Sequence, residues 1–179
     1  MADYFAAEIT LGGNVPTAVV PELCRRICDL GLSDDDEQSC FKPEAASDLL
    51  DGCREIDGVR LLRLSDSEAY FGRFASLEAF LQKKGISYCR ITDSKYEHDG
   101  EIVEFRPEMG LVRTLASKSG EPLMPLHAVR EALSSLYLVQ TLLDSRRERK
   151  AQAVLRRCCK QLGQSLPPLV PPLPAFELV

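Results

Sequence analysis

Few side chains in this sequence have the type and spacing that catalysis requires. Of the two histidines, only His98 is expected beside a carboxylate, that of Glu101, across a predicted hairpin. A carboxylate next to an imidazole can raise its pKa and orient it for proton transfer. A hairpin tip is usually exposed, however, and lacks the concave pocket that such chemistry needs. We therefore expect no catalytic residues, and a non-enzymatic protein is favoured over an enzyme.

The seven cysteines could ligate a metal, but their spacing does not fit a structural zinc site. Such sites usually take two thiolates from one turn, as in Cys-x-x-Cys. Cys24 and Cys28 are four residues apart, whereas Cys158 and Cys159 are adjacent and would diverge by about 100° on a helix. The acidic run 34–37 lacks the spacing and glycine of an EF-hand loop. We expect no metal site, and the odd cysteine count favours reduced thiols.

The glycine pair Gly12-Gly13 lies between a strand-like run and a helix-like run, where phosphate-binding loops occur. The pair has neither the Gly-x-Gly-x-x-Gly pattern nor the lysine and hydroxyl residue of a P-loop. A tight turn that requires small residues explains it better. We therefore expect no nucleotide cofactor.

A basic segment near the C-terminal end is a stronger binding signal. Residues 145–160 contain seven Lys or Arg and one Glu, a net charge of +6, and the chain total of −5 leaves −11 for the remainder. Such a cluster can bind phosphates in a salt-dependent way, but no aromatic residue within it could stack on bases. A solvated helix, or contact with the acidic body of this or a second copy, is favoured over nucleic acid. The basic residues are Arg146, Arg147, Arg149, Lys150, Arg156, Arg157 and Lys160.

A second candidate surface is a charged face of the hairpin predicted over 87–106. Asp99-Gly100 is typical of a two-residue type I′ turn. That turn would place Tyr96 opposite Val103 on the apolar face, and opposite charges would meet on the other face. The predicted charged face pairs Lys95 with Glu104 and Asp93 with Arg106.

The elements that must position these residues follow from hydrophobic periodicity and turn signals. Packing a sheet against a layer of helices is the economical arrangement. We predict an α+β fold with a mixed, mainly antiparallel sheet of about five strands and helices on one face, and the first topology considered is ferredoxin-like with additions. The predicted elements are strand 4–11, helix 20–30, helix 44–56, strand 59–64, helix 76–84, the hairpin, strand 111–117 and a long helix from Leu126 that either continues to Leu162 or bends near Asp144.

We predict one domain over residues 1–163, followed by a proline-rich extended tail over 164–179. Five prolines and four leucines in 165–179 favour extended backbone, and the leucines could pin the tail to its own domain or to a neighbouring chain. Residues 170–174 also match a proline-rich ligand core, and 177–179 match the permissive C-terminal PDZ pattern.

The sequence favours a small protein-interaction or self-association module. It has no run of about 18 apolar residues and no signal-peptide pattern at Met1–Asp3, so we expect a cytoplasmic protein with no membrane contact. The partner would be another protein or a second copy, contacted through the charged hairpin face and the long C-terminal helix with its tail. The alternatives are a nucleic-acid accessory protein that uses residues 146–160, and a small enzyme with an unrecognised site.

Overall fold

A sheet unit and a helical unit make up the described part of the chain. The computed structural model describes residues 4–34, 40–94, 99–117 and 120–179. The sheet unit comprises Met1–Pro122 and Val170–Val179, and the helical unit comprises Leu123–Leu169. The predicted domain boundary at 163/164 therefore falls inside the last helix, and the final ten residues belong to the sheet unit.

The sheet unit is an α+β structure, as predicted, but in the described residues its sheet has seven strands rather than about five. The strands are β1 Tyr4–Val15, β2 Cys53–Ile56, β3 Val59–Tyr70, β4 Ser87–Thr92, β5 Gly100–Arg106, β6 Gly110–Ala116 and β7 Phe176–Leu178; the helices are α1 Val20–Leu30, α2 Ala46–Asp51 and α3 Ala75–Lys84, with a 3-10 turn at Thr17–Val19. The path β2-β3-β1-β4-β5-β6 is antiparallel throughout, and β7 pairs in parallel with β1. In chain order, α1 and α2 lie between β1 and β2, and α3 lies between β3 and β4.

The helical unit consists of α4, Leu126–Asp144, and α5, Glu148–Ser165. The two helices run antiparallel across a short connection, because Ala128 and Leu162 line the same small cavity and the Cys158 sulfur lies 3.9 Å from the Ala132 carbonyl oxygen. The long helix predicted from Leu126 therefore does not continue to Leu162, because the chain bends near Asp144.

The glycine pair does not form the predicted turn. β1 continues through Gly12 and Gly13 to Val15. A Cβ atom at Gly12 would lie 2.3 Å from the carbonyl oxygen of Pro174, because the C-terminal segment crosses β1 at this point. Small residues are needed here for the close approach of two backbones.

The predicted hairpin register is also wrong. Glu104 lies opposite Cys89 and Val103 opposite Arg90, so β5 is displaced by six residues from the register that a two-residue turn would set. Gly100 is the first residue of β5, where a Cβ atom would approach the Thr92 carbonyl oxygen to 2.8 Å. An even displacement keeps each side chain on its predicted face, and Val103 is accordingly buried in the core.

A buried ion-pair network joins α3 to β4 and β5. Arg90 is 1% exposed, and its Nε lies 3.1 Å from the Glu78 carboxylate while its Nη2 donates to Glu101. Its Nη1 donates to the Gly72 carbonyl oxygen at 2.6 Å. The pKa of Tyr88, which contacts Glu78, is raised to about 12 mainly by burial, so its phenol is neutral at physiological pH.

The C-terminal segment is held in the sheet unit by backbone hydrogen bonds. Gly13 N–H donates to the carbonyl oxygens of Pro174 and Ala175, and Thr17 N–H donates to Val179 at 2.7 Å. Phe176 is 2% exposed and belongs to the core cluster. Of the residues that match the PDZ pattern, Glu177 and Leu178 therefore lie in β7, and the Val179 N–H donates to the Val15 carbonyl oxygen.

Candidate interaction surfaces

One face of α4 packs against α5. Residues of this packed face recur at intervals of four and three, the spacing of a heptad seam. They are small or half-buried, and the packed face consists of Ala128, Ala132, Ser135, Val139 and Leu142. On α5, the described side chains with reduced exposure are Ala151, Val154, Cys158 and Leu162, of which Ala151 and Cys158 are buried. Ala128, Ala132, Cys158 and Leu162 line one small cavity between the two helices.

A second heptad seam runs along α4 beside the first and has large apolar side chains. We call it the leucine face: Leu126, Val129, Leu133, Leu136, Gln140 and Leu143. Leu126 is 60% exposed, and Leu133, Leu136 and Leu143 are 47–51% exposed. Tyr137, at its margin, is 69% exposed. The heptad periodicity of the leucine face can be seen in the sequence itself, whereas the alanines and serine of the packed face give no comparable signal.

The helical unit has little core of its own. Among its described residues, the buried hydrophobic ones are Ala128, Ala151 and Cys158, while ten large hydrophobic residues are exposed. Most helical stability in proteins comes from packing of an amphipathic face. Burial of the leucine face against another surface would therefore stabilise this helix pair.

The basic face of α5 lies opposite its apolar residues. It consists of Arg149, Lys150, Arg156, Arg157 and Lys160, and Arg146 and Arg147 directly precede the helix; all seven residues are exposed. None of them takes part in an ion pair within the described part of the chain. The helical unit has eight basic and three acidic residues, a net charge of +5, which leaves −10 for the sheet unit.

The charged hairpin face is not assembled as predicted. Arg106 is 4% exposed, and its Nε and Nη2 donate to the Pro171 carbonyl oxygen at 3.0 and 2.8 Å. The Glu104 carboxylate oxygen Oε1 lies 3.6 Å from Nη2 of Arg106, which is two residues further along the same strand. Asp93 follows β4, where its N–H donates to Ala6, and it does not face Arg106. Lys95, like Tyr96 and His98, lies outside the described residues.

A polar groove of about 600 Å³ is formed by residues of β1, β3 and β4. Glu8, Asp66 and Asp93 give it acidic groups, and Arg63 pairs with Glu8 at 2.5 Å. Within the described ranges, no group of three His, Cys, Asp or Glu side chains has the geometry of a metal site. Burial raises the pKa of Cys89 to about 11, so this thiol is not a nucleophile near neutral pH.

Comparisons with known proteins give no functional information. No protein-family model, curated protein or solved structure matches the chain. Among the helices of the described ranges, none combines the length and apolar character needed to cross a bilayer.

Proposed function

We propose that this protein is a self-associating module that forms a homodimer through the leucine face of α4. The observation that carries the proposal is the heptad seam of large, mostly apolar and mostly exposed residues next to the seam already occupied by α5. Heptad spacing is the pattern by which helices interlock side chains along their length. The sheet unit, for which we favour a ferredoxin-like core with added strands, would be displayed twice by the dimer.

A second copy is the partner that the leucine face fits best, because the seam is self-complementary. In an antiparallel alignment, Leu126 meets Leu143 of the second copy and Leu133 meets Leu136. Val129 meets Gln140, the single polar residue of the seam. The contact is isologous, so each substitution acts twice in the dimer.

Replacing Leu136 with aspartate should convert the dimer into a monomer. The change removes an apolar contact and buries a carboxylate in each half of the interface, so we expect the dimer Kd to rise at least about 100-fold. Sedimentation equilibrium should give twice the 19.9 kDa chain mass for the wild type and 19.9 kDa for Leu136→Asp.

Leu138→Asp is the matched control. Leu138 is 49% exposed, close to the 47% of Leu136, and lies on the same helix. It is two residues further along and so about 200° round the helix, among polar residues such as Ser134 and Thr141. Its variant should remain dimeric. A monomeric wild type, or equal dissociation of both variants, would contradict the proposal.

Replacing Gln140 with leucine should tighten the dimer. A single polar residue in an apolar seam costs stability, so we expect the Kd to fall about tenfold, or about 1.4 kcal/mol. Dilution experiments with labelled protein measure the dissociation constant directly. Gln152→Leu on α5 is the control, because Gln152 is exposed and lies off the seam. An unchanged Kd in Gln140→Leu would rule out this seam as the interface.

A further inference from the structure

The basic face of α5 is arranged in two rows. Arg149, Arg156 and Lys160 recur at i, i+7 and i+11, and Lys150 and Arg157 recur at i and i+7 about 100° away. The first row lies opposite Ala151 and Cys158, which are buried, and the second row lies about 100° from these two residues. The cations therefore point to solvent while the apolar residues of α5 pack on α4.

We propose that these two rows bind the phosphates that flank the major groove of double-stranded DNA, without reading its sequence. An α-helix with its side chains is about 10–12 Å across, and the major groove of B-form DNA is about 12 Å wide. The two rows would thus reach phosphates on both sides of the groove. Within the described residues, the basic face forms no ion pair, so its charges remain available to bind phosphates.

Three features select duplex DNA among polyanions. The basic face has no aromatic residue on which unpaired bases could stack, which disfavours single strands. The major groove of duplex RNA is too narrow for side chains to enter. Adsorption to an anionic membrane uses the apolar face of a helix, and in α5 that face includes the buried Ala151 and Cys158.

The separation of charge along the chain predicts which of the two units contacts the DNA. The helical unit has a net charge of +5 and the sheet unit −10. Phosphates repel the sheet unit, so binding should occur through the helical unit alone. The inference does not rest on the proposed dimer, because Leu136→Asp leaves every residue of the basic face in place.

The test is fluorescence anisotropy of the full chain with a labelled DNA duplex over a series of salt concentrations. If about five phosphates are contacted, log K against log salt should have a slope of about −4.5. Arg156→Glu together with Arg157→Glu should weaken binding at least about 30-fold and reduce the slope by about 2, since two phosphate contacts are lost.

Lys83→Glu with Lys84→Glu is the control, because it makes the same change in net charge on two adjacent exposed residues at the end of α3. This variant should bind DNA within about twofold of the wild type, since long-range charge effects are screened by salt. Circular dichroism verifies that both double variants keep their helices. The inference is overturned by absence of binding at low salt, by equal loss in both double variants, or by equal affinity for an RNA duplex of the same sequence.

Discussion

Replacing Arg90 with methionine should lower the free energy of unfolding of the sheet unit by about 3–5 kcal/mol. Methionine fills much of the space but leaves the carboxylates of Glu78 and Glu101 without their shared cation. Glu78 is 8% exposed, so little water can replace the lost partner. Removing one member of a buried pair costs more than the pair contributes, because an unpaired charge remains in the interior.

Urea denaturation of the full chain, followed by circular dichroism, measures this loss. Arg113→Met is the matched control, because Arg113 also binds Glu101, at 3.0 Å, but is 49% exposed. Exposed ion pairs contribute about 0–1 kcal/mol, so this variant should unfold close to the wild type. Adding Glu78→Gln to Arg90→Met should recover part of the loss in a double-mutant cycle. Equal stability of Arg90→Met and Arg113→Met would show that the network is not a stabilising unit.

The same network gives the sheet unit a pH dependence. Burial alone would raise the pKa of Glu101, but hydrogen bonds and charge interactions with Arg90 and Arg113 outweigh it and lower the pKa below its ordinary 4.5. A carboxylate with a lowered folded-state pKa stabilises the fold above its ordinary pKa, and this stabilisation is lost as the pH falls through the folded-state value. The loss of stability on acidification should therefore be smaller in Arg90→Met than in the wild type.

Local signals predicted α1 and α3 well but α2 only in part, because the predicted helix 44–56 ends at Asp51 and Cys53–Ile56 form β2. The apolar residues Val20, Leu23, Cys24 and Ile27 of α1 are buried, and the helix ends at Gly31 in the left-handed conformation. In α3, Gly85 likewise ends the helix, but the N-cap residue Phe74 makes no side-chain cap. The Phe74 N–H instead donates to Glu78, whose carboxylate also pairs with Arg90. From the sequence, a glutamate in a first helical turn is interpreted as a surface charge. Its partner Arg90 can be recognised only once the position of β4 is known.

Two different constraints require glycine, and a sequence does not distinguish them. Asp99-Gly100 is a turn signal when the glycine needs a positive φ. In the structure, a Cβ atom at Gly100 would lie too close to the Thr92 carbonyl oxygen, and one at Gly12 would lie too close to the Pro174 carbonyl oxygen. Both contacts join residues that are distant in sequence or cross a loop, so periodicity cannot show them. The leucine face, in contrast, can be recognised from the sequence, because its spacing depends on one helix alone.

Replacing Phe176 with alanine should release the C-terminal segment from the sheet unit. Phe176 is 2% exposed within the core, and truncating a buried phenylalanine typically costs about 3–5 kcal/mol. The remaining attachments include backbone hydrogen bonds of Gly13, Thr17 and Val179 and the two bonds from Arg106 to Pro171. Each such bond contributes about 0.5–1.5 kcal/mol, or up to about 3 from a charged group, so together they are comparable to the loss. We therefore expect the release to be a local and transient opening of the segment, with the rest of the sheet unit still folded.

Hydrogen exchange distinguishes local release from global unfolding. The amides of Gly13 and Thr17 donate to the C-terminal segment, so they should lose protection in Phe176→Ala before amides of β3 and β4 do. Leu169→Ala is the control, since Leu169 is 96% exposed and should leave every amide unchanged. If Gly13 and Thr17 stay protected in Phe176→Ala, the backbone bonds alone hold the segment. If all amides of the sheet unit exchange together, the segment is an integral part of the folding unit, and β7 contributes to the sheet as much as the strands that precede it.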